Sequence, residues 1–264
     1  MADDTRPGHP SAHRTKPESN QPPSMSDQGP FSATWPAQAK LSTDAIHYGP
    51  DLPTDDEFRL IGEVEGKRVL DLGCAVGHAA VALAERGAKV IGVDPSPERL
   101  ARAREVADAH EVKIELHQSD LAELAYVRAD SVDLVFSAYA LATVHDLDRV
   151  FRQVHRVLRP DQHLVFSLPH PAYSLVDATS NDPLRIRRAY WDRTPRPFDT
   201  DDGPGADHPH TIQEIFTSLG RANFRVDTLL EPAPATDGKR SPYWSEIAQW
   251  VPTTLVVRAR KEGI

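Results

Sequence analysis

The chain has 264 residues, 39% of them hydrophobic and 26% charged, which is enough for one sizeable α/β domain with insertions. Its formal net charge of −9 at pH 7 repels a phosphate backbone and argues against nucleic acid as the main partner. No run approaches the roughly 18 apolar residues of a membrane span. The single cysteine excludes an intrachain disulfide and a cysteine-rich metal site. A reducing cytoplasm is therefore the expected location.

The N-terminal segment, residues 1–30, is rich in Pro, Ser, His and charge and almost lacks large apolar side chains. Such a segment buries too little surface to offset the entropy of ordering it, so we predict a disordered tail. It lacks the apolar region that a secretion signal needs. Met25, the only methionine besides Met1, offers an alternative start of translation near the end of this tail.

Strands and helices alternate after this tail. Thr54 and Glu57 have the spacing of a capping box, which predicts a short amphipathic helix before a first strand at residues 67–72. A helix over residues 77–86 leads to a second strand at residues 89–93. That second strand is almost continuously apolar, which is typical of a parallel sheet covered on both faces.

The alternation continues to the end of the chain. Ser96 can cap a further helix, with Pro97 at its first position. The later predicted elements are strands at 112–116, 133–136 and 164–168, helices at 150–158 and 212–219, and two last strands at 224–230 and 253–257. This order predicts an α/β fold: a doubly wound, Rossmann-like, mostly parallel sheet of seven strands with a C-terminal antiparallel hairpin. The domain is expected to cover residues 45–260, with residues 171–210 forming a lid or specificity insertion.

The most informative stretch is residues 69–78, Val-Leu-Asp-Leu-Gly-Cys-Ala-Val-Gly-His, followed by Val-Ile-Gly-Val-Asp at residues 90–94. It has the pattern of a buried strand, a glycine turn, a helix and a second strand that ends in an acid. This arrangement is typical of a nucleoside site, because the turn lets backbone approach the ligand and the acid binds ribose hydroxyls.

Two other kinds of nucleotide-binding site have similar sequence patterns. A nicotinamide dehydrogenase favours Gly-x-Gly-x-x-Gly, whereas this chain has Ala75 at the middle position and His78 in place of the third glycine. The missing glycine weakens the oxidoreductase interpretation, which stays open as an alternative. No Gly-Lys-Ser/Thr follows the turn, which excludes a P-loop.

At these residues the chain resembles the class I S-adenosylmethionine-dependent methyltransferases, and in particular the small-molecule methyltransferases of type 11. The matching segments are residues 69–77, 90–96, 118–121, 131–137 and 157–161. The resemblance covers roughly residues 45–170. It implies S-adenosylmethionine as cofactor and methyl transfer to a small molecule, with oxygen, nitrogen and carbon all open as the acceptor atom.

The resemblance also implies roles for the residues of the turn. Asp71 would organise the turn and contact the methionine part of the cofactor. Gly73 and Gly77 would let backbone pass close to it, with Ala75 between them. Ala75 departs from the family pattern, and its methyl group is expected to narrow the turn. Cys74 is interpreted as a small packing residue rather than a nucleophile.

Further cofactor contacts are implied after the second, third and fourth strands. Asp94, followed by Pro95, would bind both ribose hydroxyls. Asp120 would accept from the adenine amino group, and the Leu121 amide would reach a ring nitrogen. Ser137, at the end of the fourth strand, would line the methionine end of the pocket.

The acceptor is expected beyond the carboxyl ends of the strands, as in other open α/β sheets. Tyr48 is expected to close over the cofactor. His145 and His170, which follow the fourth and fifth strands, are the candidate bases for removing a proton from the acceptor. His208 and His210 either cap the next helix or touch substrate, and no ligand spacing demands a metal.

A third class of function also stays open, namely a regulatory protein that binds S-adenosylmethionine without catalysis. Ala75 in the turn and the lack of an obvious base support it. The oligomeric state is not predicted by any feature of the sequence.

Overall fold

The structure is a computed structural model that describes residues 35–176, 185–200, 203–235, 240–241 and 243–263. The predicted tail at residues 1–30 lies outside the described residues. So do residues 177–184 and 201–202 of the predicted insertion.

The strands are β1 (Arg68–Leu72), β2 (Lys89–Asp94), β3 (Ile114–Gln118), β4 (Val132–Ala138), β5 (Leu158–Pro169), β6 (Arg196–Thr200), β7 (Gly203–Asp207), β8 (Phe224–Leu230) and β9 (Thr254–Lys261). Seven of them form one sheet in the order β3-β2-β1-β4-β5-β9-β8. The first five are parallel, whereas β9 runs antiparallel to both β5 and β8. The predicted fold class is therefore confirmed.

The helices are α1 (Trp35–Gln38), α2 (Asp55–Phe58), α3 (His78–Glu85), α4 (Pro97–Ala109), α5 (Leu147–Val157) and α6 (Ile212–Arg221). Side chains cap three of them. The predicted cap of α4 is confirmed, because Ser96 Oγ accepts a hydrogen bond from the Arg99 N–H at 3.1 Å. Asp146 and Thr211 cap α5 and α6 in the same way.

The predicted capping box at Thr54 is wrong. Thr54 makes no side-chain cap, and α2 is only four residues long. The helix ends after one turn because Arg59 is left-handed, with a φ of 53°, and the neighbouring Asp55 carboxylate is buried. Its Oδ1 accepts hydrogen bonds from the Tyr48 hydroxyl at 2.5 Å and from the Leu60 and Ile61 N–H groups.

Two features of the sheet region were not predicted. β5 begins directly after α5 and is longer than the predicted strand, because the polar residues before Leu164 also adopt an extended conformation. β6 and β7 form a separate hairpin inside the predicted insertion. In that hairpin Gly205 pairs with Phe198, and a Cβ at Gly205 would come within 2.6 Å of two ring atoms of Phe198.

Apolar side chains cover both faces of the sheet. Leu70 and Leu72 belong to a core that includes α5 and α6, whereas Val69 packs on the opposite face with residues of α3. Because side chains alternate along a strand, Asp71 shares its face with Val69. Trp35 lies before the expected boundary at residue 45, yet it is buried and its ring centroid is 5.2 Å from that of Tyr139.

Among the described residues, no helix is long and apolar enough to cross a membrane.

Phe166→Ala is expected to destabilise the fold by about 3–5 kcal/mol, the usual cost of truncating a buried aromatic residue. Phe166 is fully buried, and its ring centroid lies 5.7 Å from that of Phe151. Urea unfolding followed by circular dichroism would measure the loss. Phe216→Ala, at a side chain that is 58% exposed, is the control and should change the free energy of unfolding by less than about 1 kcal/mol.

Candidate functional site

The turn between β1 and α3 holds three residues with positive φ, namely Gly73 at 82°, Ala75 at 49° and Gly77 at 85°. A Cβ at Gly73 would lie 2.0 Å from the Cβ of Ala140, so only glycine fits there. Ala75 tolerates the left-handed region at a cost of roughly 1–2 kcal/mol. The turn therefore packs tightly against Ala140, and close approach of its backbone to a ligand stays a prediction.

Asp94 ends β2 and fixes the position of this turn. Its Oδ2 accepts a hydrogen bond from the Ala75 N–H at 3.0 Å, and its Oδ1 accepts from the Ser96 N–H at 2.9 Å. The side chain is buried. Its orientation is thus set by backbone donors from both the turn and the beginning of α4.

A cavity of about 390 Å³ lies beside this turn, and we call it the large cavity. Ligand sites commonly measure about 300–1,000 Å³. Five of the residues predicted to bind the cofactor line this cavity, namely Gly73, Ala75, Asp94, Pro95 and Leu121. His208, a candidate substrate contact, also lines it, as do residues that the sequence analysis did not select, among them Pro36, Ala138, Ala140, Phe198 and Gly205.

A second cavity of about 20 Å³, the small cavity, lies next to the large one, and Pro36, Gly73 and Ala138 line both. Asp71 lines the small cavity and is 2% exposed. Burial raises the pKa of Asp71 to about 7, helped by the charge of Asp94 and opposed by the Ala80 N–H. Among the described residues, its Oδ2 has no hydrogen-bond partner.

The remaining residues predicted for the cofactor lie in different surroundings. Asp120 is exposed, and its Oδ1 accepts from the Ala122 N–H at 2.7 Å, which shapes the loop after β3. Ser137 is fully buried, and its hydroxyl donates to the Leu72 carbonyl at 2.7 Å. That bond joins β4 to β1.

Tyr48 is fully buried between Phe58 and Phe136, with ring centroids 5.6 and 5.9 Å away. Its hydroxyl donates to Asp55, and burial and this carboxylate raise the pKa of Tyr48 far above its usual range. The side chain is part of the core beneath the sheet in this structure, rather than a cover over the large cavity.

The two candidate bases differ in their surroundings. His170 is buried, with its Nε2 2.8 Å from Glu231 Oε1 and its Nδ1 accepting from the Ala172 N–H at 3.0 Å. Burial lowers the pKa of His170. Both of its ring nitrogens are therefore occupied. His145 is exposed, and its ring lies edge to face with that of His208 at 5.4 Å.

A third cavity, of about 40 Å³, lies behind the β6–β7 hairpin, and we call it the hairpin cavity. Its polar wall contains Arg196, Asp207, His208 and His210. His208 lines both this cavity and the large one, and its backbone N–H donates to the Ala142 carbonyl at 2.7 Å. Its place ahead of α6 suggested either a cap or a substrate contact, and the structure puts it beside two cavities.

Cys74 lies beneath the turn and is buried. Burial raises the pKa of its thiol well above the usual value, and the carboxylates of Asp71 and Asp94 act in the same direction. A Cβ at Gly92 would lie 3.0 Å from the Cys74 sulfur, so the thiol fills the space that this glycine leaves. The described residues contain no group of His, Cys, Asp or Glu side chains arranged to hold a metal ion.

Comparison with known proteins gives a consistent result. The model of a family described as "Methyltransferase domain" matches residues 63–203. A ubiquinone biosynthesis O-methyltransferase of Alkalilimnicola ehrlichii is 32% identical over 136 residues, which cover 52% of this chain and 54% of that protein. The chain spans about half the length of the curated relatives it matches.

Two solved structures are similar over most of the chain. An S-adenosylmethionine-dependent methyltransferase from Mesorhizobium loti has a TM-score of 0.62 and 28% identity, covering 87% of this chain and 98% of that one. A crystal structure from Listeria monocytogenes shares the fold, with a TM-score of 0.67 and 24% identity over 79% of this chain and 96% of that one.

Asp71→Asn tests the charge that burial disfavours. The folded pKa of about 7 lies above the unfolded value of about 4, so the folded state binds the proton more tightly. The carboxylate therefore lowers stability progressively as pH rises from about 4 to about 7. Without ligand, the variant should be more stable than the parent at pH 8, by up to about 4 kcal/mol, and the gap should shrink at pH 5.

Urea unfolding at both pH values would measure this difference. Asp108→Asn, at an exposed position in α4, is the matched control and should follow the parent. Parallel pH dependence in Asp71→Asn and the parent protein would contradict the shifted pKa of Asp71.

Proposed function

The chain belongs to the methyltransferase domain family, and we propose that it binds S-adenosylmethionine in the large cavity and methylates a small molecule. The observation that carries this proposal is the large cavity itself. It brings the glycine turn after β1 together with Asp94 at the end of β2 and Leu121 after β3. Ligands of open α/β sheets bind at this edge.

The residues fit such a cofactor on two counts. Gly73 and Ala75 of the turn line the large cavity, and Gly73 has no side chain to cover its backbone there. The Asp71 carboxylate is buried beside the turn with an oxygen that has no partner among the described residues. Asp71 also lines the small cavity, which shares Pro36, Gly73 and Ala138 with the large one, so this oxygen lies where a polar group of the ligand can bond to it.

We assign the residues of the chain as follows. Asp94 accepts from the ribose hydroxyls, with its carboxylate oriented in advance by the Ala75 and Ser96 N–H groups. Leu121 and the exposed Asp120 form the adenine side, and Asp71 contacts the methionine part. When bound, the cofactor supplies a methyl group on a positively charged sulfur. The chain must align the acceptor with that group and exclude water.

We infer that the acceptor lies on the side of the β6–β7 hairpin. Phe198 and Gly205 wall the large cavity there, and His208 joins it to the hairpin cavity. His145 contacts His208 and stays a candidate base. For His170 we propose a positioning role, because its bonds to Glu231 and to the Ala172 N–H hold the segment that follows β5.

A relative named for O-methylation favours an oxygen acceptor, and nitrogen and carbon stay as alternatives. The net charge of −9 supports a small molecule over nucleic acid. A cytoplasmic location is part of the same proposal and is supported by the single cysteine. Cofactor binding without catalysis is the competing proposal, and methyl transfer from labelled S-adenosylmethionine to a small-molecule extract separates the two.

The direct test is calorimetric titration of the protein with S-adenosylmethionine, S-adenosylhomocysteine and NADH. Micromolar binding of the two sulfur nucleosides without binding of NADH would support the proposal. Tight binding of NADH alone would favour the oxidoreductase alternative. No binding by the sulfur nucleosides would contradict the proposed cofactor.

Asp94→Ala is expected to weaken S-adenosylhomocysteine binding at least about tenfold, because hydrogen bonds to a charged group contribute about 1.5–3 kcal/mol each. The substitution also leaves the Ala75 and Ser96 N–H groups without their acceptor. Asp94→Asn keeps one acceptor oxygen and serves as the milder variant. Unchanged affinity in either folded variant would contradict the role assigned to Asp94.

A further inference from the structure

One face of the β6–β7 hairpin carries two cross-strand pairs that line neighbouring cavities. Arg196 lies opposite Asp207, and Phe198 lies opposite Gly205. Directly opposite residues project to the same face of an antiparallel ladder, and so do residues two positions apart on one strand. The first pair lines the hairpin cavity, and the second lines the large cavity. The hairpin therefore presents a charged pair next to an apolar pair on the same face.

The apolar pair gives this face a ring surface beside the proposed cofactor. A Cβ at Gly205 would lie 2.5 Å from Phe198 Cε2 and 2.6 Å from its Cζ, so the ring lies directly over the glycine backbone. His208 lines both cavities, which are therefore adjacent at this side chain. A molecule that packs against Phe198 can thus extend a polar group toward Arg196 and Asp207.

The charged pair offers hydrogen bonds of both kinds. Arg196 Nη2 donates to the Ser174 carbonyl, whereas Nε of the same side chain has no partner among the described residues. A guanidinium has five N–H donors and no acceptor, and an ionised carboxylate has acceptors only. Arg196 thus keeps donors for a further oxygen, and Asp207 brings an acceptor to the same cavity from the opposite strand.

The charges of Arg196 and Asp207 offset each other at the hairpin cavity. Burial lowers the pKa of Arg196, Arg188 acts in the same direction, and Asp207 and Asp192 oppose both effects. Arg188 and Asp192 pair with each other at 3.0 Å, which leaves Asp207 as the charge that offsets Arg196 in the cavity wall. A charged ligand would be attracted by one of these side chains and repelled by the other. A neutral ligand group with a donor and an acceptor can bond to both.

The histidines of the same wall add no net charge. Burial lowers the pKa of His208, and the nearby His145 and His210 lower it further, so the ring of His208 is uncharged at neutral pH. His210 Nε2 lies 2.7 Å from the Val144 carbonyl oxygen, and its Nδ1 lies 3.4 Å from Glu214 Oε1. A proton on that Nδ1 is therefore matched by a carboxylate.

We propose that the hairpin cavity binds a neutral carbonyl group with an adjacent N–H or O–H donor, such as a carboxamide, on the methyl acceptor. Arg196 donates to the carbonyl oxygen, and Asp207 accepts from the adjacent donor. The volume of about 40 Å³ exceeds the roughly 10–15 Å³ that one water molecule needs, so it suits a group of a few heavy atoms. The apolar part of the acceptor then lies against Phe198. This inference rests on the proposed function and names the class of its acceptor.

Three probes of similar size separate a neutral group from a charged one, namely benzamide, benzoate and benzylammonium. Each has one phenyl ring that can pack against Phe198. Calorimetry first measures the binding of S-adenosylhomocysteine, and saturation-transfer NMR titrations then measure the affinity of each probe for the protein saturated with that nucleoside. We expect benzamide to bind at least about fivefold more tightly than either ion, because a like charge facing the ligand in a half-buried site is unfavourable.

Charge variants should exchange the preference among the probes. Asp207→Asn leaves the Arg196 charge unopposed, so benzoate should become the tightest of the three. Arg196→Gln leaves the Asp207 charge unopposed and should favour benzylammonium. Arg221→Gln, which removes an exposed arginine paired with Asp148, is the matched control and should keep the preference of the parent protein. The affinity for S-adenosylhomocysteine should be unchanged in all three variants, because these side chains lie outside the wall of the large cavity.

Two results would overturn this acceptor site while leaving the proposed function intact. One is a parent protein that binds S-adenosylhomocysteine but binds benzamide no more tightly than the two ions, or binds none of the probes. The other is a preference that stays unchanged in either charge variant. If S-adenosylhomocysteine itself does not bind, the proposed cofactor is overturned and the acceptor site with it.

Discussion

The carboxylate of Asp94 joins three parts of the chain, and the geometry of the site depends on it. It stands at the end of β2 and accepts from the Ala75 N–H in the turn after β1 and from the Ser96 N–H before α4. Backbone donors hold a buried carboxylate in one orientation. The turn keeps its left-handed residues in place through this bond, and both cavities beside it take their shape from the turn. Asp94 therefore links β2 to the edge of the sheet at which the ligand is proposed to bind.

The sequence predicted this part of the molecule well because local rules determine it. The apolar runs of β1 and β2, the cap at Ser96 and the glycine at position 73 all follow from neighbours in the chain. The β6–β7 hairpin was missed because its Pro and Gly residues are typical of loops, and its pairing of Phe198 with Gly205 is visible only in three dimensions. Pro36 was missed because it precedes the expected boundary at residue 45.

Polar residues that sequence analysis treats alike have different surroundings in the fold. The polar atoms of Tyr48, Ser137 and His170 have protein partners, whereas Asp71 Oδ2 and His47 Nε2 have none among the described residues. A spacing pattern cannot reveal this difference, because each partner comes from an element that folding brings close. Hydrogen-bond partners thus identify polar residues that hold the fold together, such as Ser137.

Cys74 gives the molecule an internal reporter of motion. Its thiol is buried under the turn, and its raised pKa keeps it protonated, whereas alkylating reagents react with the exposed thiolate. Reaction therefore requires an opening that exposes the thiol. Since Cys74 is the only cysteine of the chain, alkylation reports on openings at this one position. The same burial protects the thiol from oxidation while the turn stays closed.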